Sequence, residues 1–362
     1  MDMTEDEKYM QRCIQLARNG MYGAPPNPMV GAVVVCHGKI IGEGYHRRCG
    51  EAHAEVNAIR SVRDESMLKE STIYVSLEPC SHFGKTPPCA DLIIEKGIPR
   101  VVIGCADPFA KVAGRGIRKL RDAGAEVTVG VLEKECLALN RRFMTFHMLR
   151  RPYITLKWAE SADGFIDRLR ADATSAPCIF SSDYTRMLVH RERAVHQAIL
   201  VGTETARKDD PSLQVRDWPG RSPLRLVLDR TGRLRSGLKL FDGTVPTRVY
   251  VDVAAGSPEY EGRTGVTCVR VDYGHEVLRQ VLDDLYTLSV QSLLVEGGSR
   301  LLSAFMDAGL WDEIRVEQAG FTLGEGVSAL PRPCGEMDVE MVDGRRIVRV
   351  VHPAGCAVKS LV

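Results

Sequence analysis

The chain has 362 residues, of which 44% are hydrophobic and 26% charged, with a formal net charge of +1. This length exceeds what one ordinary hydrophobic core organises, so two domains are expected. A near-neutral charge with only 6% aromatic residues gives no reason to expect a nucleic-acid partner. No apolar run approaches the length of a membrane span, and the acidic N-terminus is unlike a secretory signal. The 11 cysteines follow no disulfide framework, so we expect a reduced, cytoplasmic protein.

The first part of the chain alternates predicted helices and strands. Thr4 and Glu7 form a capping-box pattern before an amphipathic helix, and a Pro/Gly-rich break leads into a hairpin. The predicted elements that follow the first helix are strands 30–35 and 39–42, helix 53–62, strand 71–76, helix 89–96, strand 100–104, helix 116–123, strand 126–130 and helix 133–146. This alternation indicates an α/β domain with helices on both faces of a sheet.

One histidine, two cysteines and one glutamate carry the chemistry of this part. One residue separates His53 from Glu55. Cys80 follows a proline, and a long loop separates it from Cys89. One imidazole and two thiols leave the fourth position of a tetrahedral zinc open for water, as in catalytic zinc sites. Zinc lowers the pKa of that water, and Glu55 could carry its proton to a leaving amine. The pattern is that of zinc-dependent deaminases.

Simpler interpretations of this cluster stay open. A single His or Cys more often serves packing than ligation. A closed structural zinc site, without enzymatic activity, would need a fourth ligand, which Cys49 or His82 could supply. Replacement of Glu55 by Gln separates the two zinc interpretations, because it leaves a structural site intact and abolishes a deaminase.

The loop between the two cysteines makes the assignment more specific. The segment 78–89 resembles the long inter-cysteine loop of the riboflavin-pathway pyrimidine deaminases, and segments 26–31 and 42–46 agree with it. Together they resemble the bifunctional diaminohydroxyphosphoribosylaminopyrimidine deaminase / 5-amino-6-(5-phosphoribosylamino)uracil reductase family, strongly over the first 147 residues and more loosely beyond. The resemblance implies an α/β protein with a cytidine-deaminase-like three-layer α/β/α domain over residues 1–147 and a dihydrofolate-reductase-like α/β domain over residues 151–362.

The resemblance also implies roles around the zinc. Glu55 would be catalytic, Asn27 would hydrogen-bond the pyrimidine, and His46 and His82 would lie at the substrate. Lys85 could pair with the substrate phosphate as a point charge. Asn27 could instead be a turn residue between prolines, and Lys85 a solvated loop lysine.

The second part begins after a short basic stretch around residues 141–151. Its predicted elements are strand 153–158, a helix capped by Ser182 through residue 193, strands 198–201, 224–228, 248–253 and 267–271, helix 276–288, strand 292–295 and helix 301–308. Residues beyond 321 have the pattern of strands joined by glycine turns. The motif G-x-G-x-x-G is absent, which argues against a Rossmann-type dinucleotide site.

In the reductase family, the strand 153–158 and its turn carry the start of the nicotinamide site, and residues 202–216 are similar to the family run G-x-x-T-x-x-x-D-D-P-x-L-x-x-R. The resemblance implies cofactor contacts by Ala159, Thr205, Asp209, Gly297, Gly298 and Ser299, and substrate contacts by Lys157, Arg193, Leu213, Arg216 and Glu296. Backbone N–H groups at 297–299 could hold a pyrophosphate, although two glycines alone could be a tight turn. Arg193 could grip two phosphate oxygens or lie on a helix surface.

One segment departs from the family. A Ser-x-Trp is expected near residues 177–179, where the chain has Ala-Pro-Cys-Ile-Phe over 176–180. This departure leaves open a deaminase joined to a non-catalytic binding module. A deaminase acting on tRNA or DNA is another alternative, but it would need a basic, aromatic-bearing groove.

The resemblance implies a bifunctional riboflavin-biosynthesis enzyme with Zn²⁺ and NADPH as cofactors. Deamination of 2,5-diamino-6-(5-phosphoribosylamino)pyrimidin-4(3H)-one would be followed by reduction of the ribosyl group to ribityl, giving 5-amino-6-(5-phosphoribitylamino)uracil. The expected partner is this small phosphoribosyl pyrimidine, with neither nucleic acid nor membrane. Because both domain families often self-associate, a homo-oligomer is expected.

Overall fold

The computed structural model describes residues 3–81, 87–108, 114–171 and 174–353. The chain divides into two compact units, Met1–Leu149 and Arg150–Val362. Among the residues described, none of the helices combines the length and the apolar character that a bilayer crossing requires.

The first unit is built on a five-stranded mixed sheet. Its described helices are α1 (Glu5–Ala17), α2 (Ala54–Arg60), α3 (Cys89–Glu95), α4 (Arg115–Asp122), α5 (Glu133–Leu139) and α6 (Arg141–Leu149), and its strands are β1 (Gly31–Cys36), β2 (Lys39–Tyr45), β3 (Ser71–Leu77), β4 (Arg100–Cys105) and β5 (Glu126–Val129). The strand order is β2-β1-β3-β4-β5. Strand β1 is antiparallel to β2 and β3, whereas β3, β4 and β5 are parallel. The predicted capping box at Thr4 is confirmed.

Helices cover both faces of this sheet because successive strand side chains point to opposite sides. On one face, alternate residues of β1, β3 and β4 pack with apolar residues of α2, α3 and α4, as Ile73 does with Ile59 and Ile93. On the other face, α1 contacts β1 and β3, and α5 contacts β4. The predicted three-layer α/β/α domain is therefore confirmed.

Two glycines let helices approach the sheet closely. A Cβ at Gly31 would lie 2.0 Å from the Cys13 carbonyl oxygen of α1, and a Cβ at Gly44 would lie 2.4 Å from the Ala58 nitrogen of α2. Any side chain at either position would force the helix away from the strand. The second contact matters for the site, because α2 carries the candidate metal ligand at its start.

The predicted single helix over 133–146 is wrong in one respect. It is interrupted at Asn140, where the chain leaves α5 and enters α6. The buried Asn140 side chain accepts from the Met29 backbone nitrogen and donates to the Met29 carbonyl oxygen, both at 2.8 Å. The break places this amide against the segment that leads into β1.

The second unit is built on a nine-stranded sheet. Its strands are β6 (Tyr153–Glu160), β7 (Phe165–Asp167), β8 (Ala198–Gly202), β9 (Leu224–Leu228), β10 (Thr247–Asp252), β11 (Val266–Val271), β12 (Ser292–Glu296), β13 (Glu313–Gln318), β14 (Val327–Ser328), β15 (Glu336–Val342) and β16 (Arg345–Val351), and its helices are α7 (Asp183–Val195), α8 (Thr203–Asp209), α9 (Val277–Thr287) and α10 (Ser299–Asp307). The order is β11-β10-β9-β8-β12-β6-β13-β16-β15, and β7 pairs separately with β14.

The strand directions locate the functional edge of this sheet. In this sheet the strands from β11 through β13 are mutually parallel, and only β16 runs against them, pairing antiparallel with β13 and β15. The carboxyl ends of β8, β12 and β6 therefore meet at one edge, where open α/β sheets bind ligands. Apolar clusters fill both faces, with Leu200 and Tyr250 on one and Val201 and Val249 on the other.

Candidate active sites

The candidate metal ligands of the first unit converge at the starts of two helices. His53 is the N-cap residue of α2, Cys89 is the first residue of α3, and Cys80 follows β3. The His53 Nδ1 atom lies 3.5 Å from the Cys80 sulfur and 3.3 Å from the Cys89 sulfur. All three candidate ligand atoms lie within 4.8 Å of one another. Three residues brought together from separate elements thus face one common point.

The charge state of this cluster fits a zinc ion. The Cys89 thiol and then the His53 ring donate towards the Cys80 sulfur, and these contacts keep the pKa of Cys80 well below its usual range. The Cys89 backbone nitrogen also donates to that sulfur at 3.3 Å. One thiolate is therefore already favoured, and soft thiolates with an imidazole form the ligand set that zinc prefers.

Glu55 lies beside the ligands, inside the protein. It is only 3% exposed, so its carboxyl group is shielded from solvent. Burial, and after it the charge of Cys80, raises the pKa of Glu55 to about 7. A carboxyl group with such a pKa can both accept and release a proton near neutral pH, as a general acid–base catalyst must.

Two of the predicted substrate residues form a hydrogen-bonded pair next to this cluster. His46 is buried, which lowers its pKa and favours the neutral ring. Its Nδ1 contacts the Ala52 carbonyl oxygen at 3.2 Å, so Nδ1 carries the proton and Nε2 accepts from the Asn27 amide nitrogen at 3.1 Å. The His46 ring packs edge-on against His53 with centroids 5.4 Å apart. The other two predicted residues, His82 and Lys85, lie outside the described residues.

A structural role for Glu78 was not predicted, although this residue begins the quoted Glu-Pro-Cys motif. Its buried carboxylate accepts hydrogen bonds from the backbone nitrogens of Asp107, Gly114, Gly116 and Ile117 at 2.9–3.3 Å. These contacts tie the start of α4 to Glu78, which lies two residues before the candidate ligand Cys80. The motif itself was the available signal, since a glutamate beside a ligand cysteine is seldom a solvated residue.

We expect Cys89→Ser to lose zinc while the fold is retained. A serine hydroxyl is a poor zinc ligand, and the change removes one of three thiolate or imidazole donors. Cys13→Ser is the matched control, because Cys13 is buried and its thiol donates to the Tyr74 carbonyl oxygen, as a serine hydroxyl can. Metal analysis of the purified proteins should find stoichiometric zinc in wild type and in Cys13→Ser, and little in Cys89→Ser. Full zinc in Cys89→Ser would remove Cys89 from the ligand set.

The second unit contains a cavity of 740 Å³ at the carboxyl ends of its parallel strands. Every predicted cofactor residue lines it, and so do two of the predicted substrate residues. The lining residues among those predicted are Lys157, Ala159, Thr205, Asp209, Glu296, Gly297, Gly298 and Ser299.

Three predicted substrate residues do not line this cavity. Arg193 lies behind the wall, where its guanidinium forms a two-point ion pair with Glu296, with Nη2 2.7 Å from Oε2. Leu213 is 2% exposed and packs into the core with Val227. Arg216 is exposed, and its guanidinium contacts Ser212.

The segment that departs from the family is part of the cavity wall. Pro177, Cys178 and Phe180 line the cavity, and Phe180 stacks on Phe321 with centroids 5.7 Å apart and planes 5° from parallel. The Cys178 backbone nitrogen donates to Asp167 at 3.0 Å. The expected Trp is thus absent, yet the chain supplies an aromatic side chain to the same wall, which the sequence comparison with the family did not predict.

The loop after β12 has the geometry of a phosphate-binding turn. Gly297 has φ +89°, and a Cβ there would lie 2.7 Å from Thr205 Cγ2 and 2.8 Å from its hydroxyl oxygen. Only glycine takes this conformation without strain, and it leaves backbone N–H groups bare at the start of α10. The residues present therefore fit a dinucleotide pyrophosphate.

We expect Gly297→Ala to weaken cofactor binding by at least about tenfold, because the methyl group adds strain and displaces Thr205. Gly320→Ala is the control, since a Cβ at Gly320, in the same unit, would meet no atom of the described residues within 4 Å. Titration of NADPH by fluorescence should separate the two variants. Equal affinity in both would exclude this loop from the cofactor site.

Comparisons with known proteins agree with this geometry. Residues 3–105 match the cytidine and deoxycytidylate deaminase zinc-binding region, and residues 152–343 match the RibD C-terminal domain. The fold and its two sites thus define a two-domain α/β enzyme, a zinc-dependent deaminase joined to a reductase.

Relatives match both parts in one chain. The riboflavin biosynthesis protein RibD of Aquifex aeolicus is 41% identical over 325 residues, covering 89% of each chain, and that of Escherichia coli K12 is 36% identical over 344 residues, covering 90% of this chain and 92% of its own. The chain belongs to the RibD family of riboflavin biosynthesis proteins.

Solved structures extend the match to the whole fold. A Thermotoga maritima diaminohydroxyphosphoribosylaminopyrimidine deaminase/5-amino-6-(5-phosphoribosylamino)uracil reductase superposes with TM-score 0.84 at 37% identity, covering 96% of this chain and 98% of its own. Acinetobacter baumannii RibD gives 0.84 at 32% identity with the same coverage. The predicted family, fold class and bifunctional deaminase–reductase assignment are confirmed.

Proposed function

We propose that the first unit deaminates 2,5-diamino-6-(5-phosphoribosylamino)pyrimidin-4(3H)-one and that the second unit reduces the ribosyl group of the product to ribityl with NADPH. The observation that carries the proposal is the grouping of His53, Cys80 and Cys89 beside the buried Glu55. The substrate is supported by the printed name of the Thermotoga maritima relative, which joins both activities in one protein.

The residues of the first unit would have separate roles in the deamination. His53, Cys80 and Cys89 would hold zinc, which when bound supplies the Lewis acidity that makes water nucleophilic at neutral pH. Glu55 takes the proton of the attacking water and delivers it to the departing ammonia. Because His46 accepts from the Asn27 amide nitrogen, the Asn27 Oδ1 atom is the one that can accept from the pyrimidine.

In the second unit, different residues of the cavity would contact the cofactor and the substrate. Residues 297–299 and Thr205 would hold NADPH, which supplies the hydride for the ribose C1 carbon. Lys157 and Glu296, on adjacent strands in register, face the space left for the sugar. Burial opposes the charged form of Glu296, but Arg193 and Lys157 outweigh it and keep the pKa of Glu296 below its ordinary value. An ionised Glu296 can accept from two sugar hydroxyls at once.

The proposed function also includes a substrate class, a cellular location and an oligomeric state. A small phosphoribosyl pyrimidine rather than a nucleic acid is supported by the near-neutral net charge of +1. A cytoplasmic location is supported by the described cysteines, all of which are free thiols. We also propose a homo-oligomer, as the resemblance implies.

A coupled assay on the full-length, zinc-loaded protein tests the proposal. With the diaminopyrimidine ribotide, ammonia release and NADPH oxidation are followed separately, and both are expected. Ammonia without NADPH oxidation would favour a deaminase with a non-catalytic C-terminal module. With neither signal, the proposed substrate is wrong.

A further inference from the structure

A buried histidine of α7, His190, contacts the segment that follows α8. Its side chain is 3% exposed. The ring Nδ1 atom accepts from the backbone nitrogen of Arg216 at 3.1 Å, and Nε2 lies 3.3 Å from Asp217 Oδ2. One imidazole thus contacts two consecutive residues of the same segment.

These contacts determine the protonation of the ring. A backbone N–H can donate only to an unprotonated ring nitrogen, so Nδ1 carries the lone pair and Nε2 carries the proton that faces Asp217. In the imidazolium form both nitrogens would be donors, and the contact with the Arg216 nitrogen would become repulsive. Only the neutral form of His190 can accept from the Arg216 nitrogen, whereas the Nε2 proton faces Asp217 in both forms.

A second side chain of α7 joins the same segment to the cavity wall. Arg193 lies one turn after His190, on the same face of the helix. It donates to the Gln214 carbonyl oxygen at 3.4 Å and pairs with Glu296, which lines the cavity. Together the two side chains of α7 hold residues 214–217 next to the end of β12.

We infer that His190 is a positioning residue for substrate binding in the second unit: its neutral imidazole holds the Arg216 backbone nitrogen, and protonation removes that contact. The inference rests on the proposed function, because it takes Glu296, which Arg193 holds by an ion pair, to be at the site of the pyrimidine ribotide. His190 does not line the cavity, so its effect falls on the KM for the ribotide and leaves the hydride step unchanged.

Charged groups face His190 from every element packed against it. Arg193 is on its own helix, Arg216 and Asp217 are in the segment, and Glu296 ends β12. Burial, and then Arg193, lowers the pKa of His190 below its ordinary value of 6.5, whereas Asp217 and Glu296 act in the opposite direction. The neutral ring therefore prevails at neutral pH, and the contact with the Arg216 nitrogen is lost as the pH falls through a value below 6.5.

The test compares three proteins in the reductase reaction from about pH 5 to about pH 8, the range of imidazole titration. The KM for the aminouracil ribotide and the KM for NADPH are measured for the full-length enzyme, for His190→Asn and for His190→Leu. The Asn Oδ1 atom takes the place of Nδ1 and accepts from the Arg216 nitrogen without titrating. Because the substrate phosphate itself titrates at about pH 6, the Asn variant supplies the baseline for that effect.

We expect the wild-type KM for the ribotide to rise in acid about three- to tenfold more than that of His190→Asn, as loss of one hydrogen bond implies. His190→Leu lacks the acceptor and should show a similarly raised ribotide KM at every pH. The KM for NADPH and the kcat should stay unchanged in both variants.

Superimposable pH profiles for wild type and His190→Asn would overturn this inference and leave the proposed function standing. No NADPH oxidation by the wild-type enzyme with the ribotide would overturn the proposed function, and the inference with it. Should His190→Leu fail to fold, nitrogen NMR of the labelled histidine rings provides a readout free of activity. A protonated Nδ1 in His190 at about pH 8 would contradict the neutral tautomer described above.

Discussion

Glu55→Gln is expected to reduce ammonia release by about 10²–10⁴-fold, the range contributed by a positioned general acid–base group. Glutamine has nearly the same shape and brings no charge into a site where Glu55 is 3% exposed. Zinc content should therefore stay stoichiometric, and NADPH oxidation with the aminouracil ribotide should be unaffected. The assay follows ammonia release at saturating substrate with metal analysis of the same preparation.

Glu95→Gln is the matched control, since Glu95 is an exposed carboxylate at the end of α3. It should deaminate at the wild-type rate. Retained ammonia release in Glu55→Gln would show that another group carries the proton. Loss of zinc together with activity in Glu55→Gln would indicate a structural role for the carboxylate.

Arg193→Met is expected to lower the free energy of unfolding by about 3–5 kcal/mol, because it leaves the buried Glu296 charge without its partner. The two side chains are only 15% and 12% exposed, so water compensates poorly for the lost ion pair. Arg186→Met on the same helix is the control, since its pair with Asp183 is exposed and should contribute little. Denaturant unfolding of the full-length chain measures all three proteins.

The sign of the pH dependence gives a second check on this ion pair. The pKa of Glu296 is lowered in the folded protein, so the stabilisation is complete above its ordinary value of 4.5 and is lost as the pH falls through the folded value. The difference in stability between wild type and Arg193→Met should therefore shrink in acid. The double variant Arg193→Met/Glu296→Leu should recover most of the loss at neutral pH, because it removes both charges. No recovery would assign the loss to packing of the arginine stem.

The sequence was most informative where residue type and local spacing determine geometry. His53 and Glu55 lie in the first turn of one short helix, so their mutual position follows from local structure. The positions of Gly297 and Gly298 also follow from local structure. A turn of two glycines between a strand and a helix start has few possible conformations. Such features were predictable without knowledge of the tertiary fold.

Features that depend on distant partners could not be predicted in this way. Arg193 was expected at a phosphate, but its partner Glu296 is 103 residues away along the chain, and only the folded sheet brings them together. Leu213 was expected at the substrate. It has φ +53°, and its side chain is turned into the core, a direction that the spacing of a loop motif does not determine. The helical periodicity of residues 133–146 likewise continues through Asn140. The nearby sequence therefore did not predict the break.

The contact between Asn140 and Met29 has a consequence for the extent of the deaminase. The match to the zinc-binding region ends at residue 105, and it contains every candidate zinc ligand. Asn140 lies beyond that end, yet it supplies both hydrogen bonds to the backbone of Met29, two residues after Asn27. A fragment cut at the end of the match would contain every candidate ligand, but it would lose Asn140 and the backbone nitrogens between residues 107 and 117 that bind Glu78. The folded unit that carries the candidate zinc ligands thus extends past the matched region, at least as far as Asn140.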